Sequence, residues 1–68
     1  MNAWINQIFK AGAVAKGGVV RRNLSDVIKY AGSPQALLVE VKRRNYHLVQ
    51  TGNQLIVICN SGDVKIHC

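Results

Sequence analysis

The chain has 68 residues, which suits one small domain covering residues 1–68 and is too short for two. Hydrophobic residues make up 49% of it, a share that favours a folded core over disorder. Nine Lys and Arg against three Asp and Glu give a formal net charge of +6. We therefore expect a polyanionic partner, nucleic acid ahead of an anionic membrane, with an incidentally basic soluble protein as the alternative.

The two cysteines, Cys59 and Cys68, form no C-x₂-C pair, and their spacing from His67 is not typical of a zinc site. A disulfide scaffold is not expected, and a reducing cytoplasm fits this usage. The N-terminus does not have the pattern of a signal peptide, and no segment approaches the roughly 18 apolar residues of a membrane span. We expect a cytoplasmic protein that is not an enzyme, binds no metal, cofactor or small-molecule ligand, and does not associate with a membrane.

The first part of the chain predicts a helix and a short strand. Residues 2–11 carry apolar side chains at helical spacing, and Asn2 is a candidate N-cap. Gly12 is expected to end this helix, and residues 13–18 to form a permissive connector. Residues 19–22 are a short β-prone run.

Two helices are predicted next. The second helix covers Ser25–Ala31, with Asn23 or Ser25 accepting hydrogen bonds at its start. Gly32 suits the positive φ of a tight turn. Ser33 then caps a third helix, which begins at Pro34 and ends near Arg44.

The apolar spacing of these helices predicts which side chains face inward. In the second helix these are Leu24, Val27, Ile28 and Ala31. In the third helix Leu37, Leu38 and Val41 are expected inside. The predicted outward face comprises Ala36, Val39, Glu40 and Arg43, flanked by Gln35, Lys42 and Arg44.

After Asn45 the hydrophobic period changes to that of strands. Residues 46–51 and 54–59 are predicted strands, joined by Gly52-Asn53 in a type II′ turn. The continuous apolar run of the second strand predicts burial on both faces or a partner on the second face. Residues 63–68 alternate and are a possible third strand of this region.

The order of helix, strand, helix, helix, strand and strand, with Gly32 between the two central helices, resembles the winged helix-turn-helix family. The resemblance covers residues 4–59 and rests on order and spacing. It implies an α+β fold of three helices and a small antiparallel β-sheet, with a possible extra C-terminal strand. One departure is Ile28, where the family commonly has a small residue, so a wider helix crossing is expected.

The resemblance also implies a small DNA-binding protein of phage or plasmid type, acting as a transcriptional regulator or nucleoprotein accessory factor. Its third helix, 34–44, would enter the major groove of double-stranded DNA, with the hairpin tip as a wing. A module that buries about 600–1,000 Å² on DNA needs a homodimer or repeated sites for useful specificity. The strand 55–58 and the final strand are candidate edges for self-association.

The expected DNA contacts fall into three sets. Side chains nearest the bases would be Gln35, Val39, Glu40 and Arg43, where Glu40 could accept from cytosine N4 but would repel phosphates. Phosphate contacts would come from Lys42, Arg44, Arg21, Arg22 and Lys29. The uncharged wing tip would contribute Thr51, Asn53 and Gln54, together with Gln50.

Two other functions stay open. The segment from Lys42 to Gln54 loosely resembles small toxin ribonucleases with a double-stranded-RNA-binding-like fold, in which a catalytic His follows a Gly-Ser. Here Gly52 is followed by Asn53 and Gln54, with no histidine, which counts against that activity. His47 lies in the preceding strand and not at the matching position. Alternatively, apolar side chains on the outward helix face favour a protein-interaction module.

Overall fold

The fold was described from a computed structural model that covers residues 2–68. In chain order the elements are α1 (Ala3–Phe9), α2 (Gly12–Ala15), β1 (Val19–Asn23), α3 (Leu24–Ala31), α4 (Pro34–Arg43), β2 (His47–Thr51) and β3 (Gln54–Ile58). The expected α+β class, with helices and a small antiparallel sheet, is confirmed. Among the described residues, no helix has the length and apolar character needed to cross a membrane.

Side-chain capping defines where α1 and α4 begin. The Oδ1 atom of Asn2 accepts hydrogen bonds from the backbone N–H groups of Trp4 (2.8 Å) and Ile5 (3.1 Å), as predicted. The Oγ atom of Ser33 accepts from the N–H of Ala36 at 3.4 Å, and Pro34 occupies the first turn. These bonds satisfy N–H groups that a helix leaves without an internal partner.

The helix α3 begins differently from the prediction. Asn23 occupies its N-cap position, but no side chain makes a capping hydrogen bond there, and Ser25 lies inside the helix. The N–H of Leu24 instead donates to the carbonyl oxygen of Asn53 in the hairpin turn, at 2.7 Å. This bond ties the start of α3 to the hairpin tip. At the other end, Gly32 has φ 89°, which suits glycine as expected.

The sheet has the order β1-β3-β2, and both pairings are antiparallel. The apolar strand β3 is therefore central. Its Leu55 and Val57 are buried against the helices, whereas Ile56 and Ile58 are partly exposed on the other face. In the hairpin turn, Gly52 has φ 55° while Asn53 does not have a positive φ, in keeping with the predicted type II′ turn.

One hydrophobic core lies between the helices and one face of the sheet. It receives side chains from α1, β1, α3, α4, β3 and the residue after β3: Ile5, Ile8, Phe9, Val20, Val27, Leu37, Val41, Leu55, Val57 and Cys59. Burial of these side chains is what fixes the rotation of each helix about its axis.

The prediction that residues 13–18 form a permissive connector is wrong for residues 13–15. The helix α1 ends at Phe9, and Gly12 starts a second, one-turn helix rather than terminating the first. Val14 in this turn packs against the core, together with Ala11 just before it. This apolar contact stabilises a helical turn that four residues alone would not form.

The prediction of a strand at residues 63–68 is also wrong. The strand β3, which precedes this segment, already pairs with β1 on one side and β2 on the other. The position beside β3 that a following antiparallel strand would take is therefore occupied by β1. The segment is held near its start by His47, whose Nε2 donates to the carbonyl oxygen of Gly62, and its Val64 and Ile66 side chains are exposed.

Candidate functional site

The helix α4 presents a narrow exposed face that differs from the predicted one. Leu37 and Val41 are fully buried, and this orientation directs Gln35, Val39 and Lys42 outward. Positions 35, 39 and 42 fall within about 60° of one another around a helix axis. Val39, at the centre of this stripe, has 66% of its surface exposed. We call Gln35, Val39 and Lys42 the α4 stripe.

Glu40 does not belong to the exposed face, which corrects its predicted role at the bases. The residue is only 6% exposed, and its Oε1 accepts hydrogen bonds from Arg43 Nη2 (2.7 Å) and Arg44 Nε (3.1 Å). The bond from Arg43 lowers the pKa of the Glu40 carboxyl, against the opposing effect of its burial; the charge of Arg43 and the bond from Arg44 lower it further. The carboxylate is thus kept charged and turned away from any ligand of the α4 stripe.

Ala36 was also expected to face outward, and it is instead partly buried against the core. Leu38, expected inside, is only partly buried. The true exposed face is therefore rotated from the predicted one, away from Ala36 and Glu40 and towards Lys42. An acid followed by cations at i+3 and i+4 is a spacing for ion pairing within one helix, and this was the signal available in the sequence.

The two arginines after Lys42 have different surroundings. The side chain of Arg43 stays 62% exposed beside the α4 stripe while it pairs with Glu40. The side chain of Arg44 is 33% exposed, and its guanidinium lies 4.3 Å from the ring centroid of Phe9. A cation that is paired with an acid and covers an aromatic ring contributes to packing. Arg43 is therefore better placed for an external anion than Arg44.

Ile28 does not face inward as predicted. Its surface is 51% exposed, whereas Val27 is fully buried in the core. Ile28 lines an open groove of about 310 Å³ with Leu24, Ser25 and Asn53, between α3 and the hairpin tip.

The sheet register collects several predicted site residues at the hairpin tip. Asn23 pairs with Gln54, which in turn pairs with Thr51, so the end of β1 lies beside the hairpin turn. Thr51 and Asn53 are exposed there. The tip thus forms a polar edge next to the start of α3.

Arg21 and Arg22 are adjacent in β1, so strand alternation places their side chains on opposite faces of the sheet. Arg22 is partly buried and Arg21 is exposed, and the Nη1 of Arg22 donates to the carbonyl oxygen of Arg21 at 2.6 Å. Only one of the two can therefore face a given ligand.

The remaining predicted cations lie away from the tip. The chain leaves α4 through Arg44 and enters β2 at His47, and β2 then runs five residues to the tip, a distance of about 16 Å. Lys29 lies in the last turn of α3, with its Nζ 5.2 Å from the ring centroid of Tyr30, which stacks on Trp4. The predicted contacts therefore form separate groups at the α4 stripe, the hairpin tip and the end of α3.

The described residues contain no group of three or more His, Cys, Asp or Glu side chains arranged to hold a metal ion. His47, considered as a general base, uses its Nε2 to hold the Gly62 carbonyl. Burial raises the pKa of the Cys59 thiol, which disfavours the reactive thiolate. These side chains carry out structural roles here.

Comparison with known proteins does not assign a family. No protein-family model, curated protein or solved structure matches the chain.

Proposed function

We propose that this chain is a small winged helix-turn-helix protein that binds double-stranded DNA without catalysing a reaction. The order α1, β1, α3, α4, β2, β3 and the sheet order β1-β3-β2 are compatible with such a fold, with α2 as an addition. In this proposal α4 enters the major groove and the hairpin at 51–54 approaches the backbone beside it. A role in regulating transcription, or as an accessory factor of a nucleoprotein complex, follows from this binding.

The observation that carries the proposal is the composition of the α4 stripe. Gln35 and Lys42 are exposed on one side of a ten-residue helix, and Arg43 is exposed next to them. The only acid of this helix, Glu40, lies away from that side, and its negative charge is compensated by ion pairs with Arg43 and Arg44. The exposed side of α4 therefore combines hydrogen-bonding and positive groups with no exposed negative charge, which suits DNA.

A second contact would come from the hairpin tip. Thr51, Asn53 and Gln54 offer uncharged donors to phosphate oxygens. Arg22 immediately precedes Asn23, which pairs with Gln54. Such contacts would orient the domain without reading sequence. Since one domain covers a small area of DNA, we propose that two copies bind together or at adjacent sites. The predicted edge at residues 55–58 is wrong, because β3 is the central strand; in the described chain the outer edges of β1 and β2 are the ones without a strand partner.

Duplex binding measured across a salt series tests the proposal. We expect fluorescence anisotropy to show binding to a mixed-sequence duplex at low salt that weakens steeply as salt increases. Each phosphate contact contributes about 0.9 to the slope of log affinity against log salt. Replacing Lys42 by Gln should therefore reduce the slope by about 0.9 if Lys42 lies on a phosphate.

The matched control is Lys65→Gln, which removes the same charge from the exposed C-terminal segment. This variant should keep the wild-type slope. If the two variants weaken binding equally, only net charge matters and the α4 stripe is not the interface. If the wild-type chain binds no duplex at low salt, DNA binding itself is wrong.

A protein-interaction module is the second candidate, and one observation favours it. Ile28 and Val39 are both more than half exposed, and Ile28 lines the groove beside the hairpin tip. Exposed apolar side chains next to a groove are a common feature of protein-binding surfaces. This function predicts a partner that co-purifies after nuclease treatment and at high salt, which DNA-mediated association would not survive.

A further inference from the structure

The α4 stripe places an amide and an apolar side chain one turn apart on the same exposed side. Gln35 and Val39 are four positions apart, which corresponds to about 6 Å along a helix axis. Base pairs in a duplex follow each other every 3.4 Å or so, so two neighbouring steps lie within the reach of this pair. Both residues are exposed, and Val39 is not part of the hydrophobic core.

The chemistry of the two side chains points to the same base pair. A glutamine amide can donate to N7 and accept from the N6 amino group of adenine, a bidentate match in the major groove. An apolar side chain packs against the C5-methyl group that only thymine presents there. Because adenine and thymine pair with each other, a run of A·T pairs supplies both ligands.

The withdrawal of Glu40 removes the competing preference. As a carboxylate on the exposed face it would accept from cytosine N4, but its Oε1 already pairs with Arg43 and Arg44. Lys42, the third member of the α4 stripe, is a flexible point charge that suits a phosphate. Gln35 is then the one uncharged hydrogen-bonding side chain of α4.

We infer that Gln35 and Val39 determine specificity, by reading adjacent A·T pairs through adenine N6/N7 and the thymine methyl group. The inference rests on the proposed DNA binding and adds the class of sequence that is bound. It assigns Val39 a contact with thymine, which explains why an apolar side chain stands at the centre of a polar stripe.

Removal of the thymine methyl group tests this directly. The probes are short duplexes of alternating dA and dT, the same duplexes with deoxyuridine in place of thymidine, and alternating dG and dC duplexes. We expect wild-type protein to bind the uridine duplex about three- to fivefold more weakly than the thymidine duplex, from the loss of one buried methyl contact. The dG·dC duplex should bind at least about fivefold more weakly, from the loss of a bidentate pair.

Two variants locate the effect on the protein. Val39→Ala should reduce the preference for the thymidine duplex over the uridine duplex, because the shorter side chain loses apolar contact with the methyl group. Ile28→Ala shortens another exposed apolar side chain, on α3, and should keep the wild-type preference for thymidine. Gln35→Ala should lose most of the preference for dA·dT over dG·dC while it keeps the sensitivity to the thymine methyl group.

The outcomes separate the inference from the proposed function. Salt-dependent binding of all duplexes with equal affinity overturns the inference and leaves DNA binding intact. A thymidine preference that persists unchanged in Val39→Ala also overturns it, because the discrimination would then come from DNA shape or another residue. Absence of binding to any duplex at low salt overturns DNA binding and the inference together.

Discussion

Alanine substitutions at three consecutive positions of α4 test the helix orientation on which the candidate site depends. Leu37 is fully buried, Leu38 is partly buried, and Val39 is 66% exposed. Leu37→Ala removes a packed side chain from a close-packed core, which costs about 2–5 kcal/mol. A domain of this size has a free energy of unfolding of about 3–10 kcal/mol, so this variant is expected to be largely destabilised.

The neighbouring variants provide the matched comparison. Leu38→Ala makes the same chemical change at a partly exposed position and should cost less than Leu37→Ala. Val39→Ala should change the free energy of unfolding by about 0.5 kcal/mol or less, because the side chain is mostly exposed and alanine favours helix. Urea denaturation followed by circular dichroism measures all three, and each 1 kcal/mol also corresponds to about 4–8 °C in Tm.

The order of the three effects is what matters. A loss at Val39 as large as that at Leu37 would mean that α4 is rotated and that its exposed face is different. A loss below about 0.5 kcal/mol at Leu37 would have the same meaning, since surface substitutions have effects of this size. Either result would also remove the basis for the proposed contacts of Gln35 and Lys42.

Three further predictions concern stability and reactivity. The pKa of Glu40 is lowered from 4.5 in the folded state, so its ion pairs stabilise the fold above pH 4.5, and this stabilisation is lost as pH falls through the folded-state pKa. Glu40→Gln should therefore flatten the acid side of a stability-versus-pH profile. Parallel profiles of the variant and the wild-type protein would contradict this. Gly32→Ala should cost about 1–2 kcal/mol in thermal unfolding because of the positive φ, whereas Gly12→Ala, in open space at the start of α2, should not destabilise. A thiol reagent should label exposed Cys68 rapidly and buried Cys59 only on unfolding; equal rates would exclude the described burial.

Local signals in the sequence were enough to predict most element boundaries. Asn2, Ser33 and Pro34 mark helix starts because their capping chemistry depends on residues within one turn. The Gly52-Asn53 turn and the apolar run after it predicted the hairpin for the same reason. The missing cap at Asn23 is the exception, since the hairpin tip supplies the bond that the side chain was expected to make.

The candidate site was less predictable because it depends on which way α4 is rotated. Apolar spacing alone allowed Ala36 and Glu40 on the outside and Leu38 on the inside. Packing against α3 and β2 fixes a different rotation of α4. The ion pairs with Arg43 and Arg44 offset the cost of burying the Glu40 carboxylate. The contacts that decide this rotation come from elements distant in sequence.

The C-terminal segment shows the same division between local and tertiary information. Its alternation of Val64 and Ile66 with polar residues has the period of a strand, but strand pairing also needs a free neighbour. Both edges of β3 are taken, so the segment stays irregular. The net positive charge follows from composition alone. Most helix caps and turns were determined by interactions between residues a few positions apart. Which side of α4 is exposed, and which strand edges stay free, depended on packing between elements that are distant in sequence.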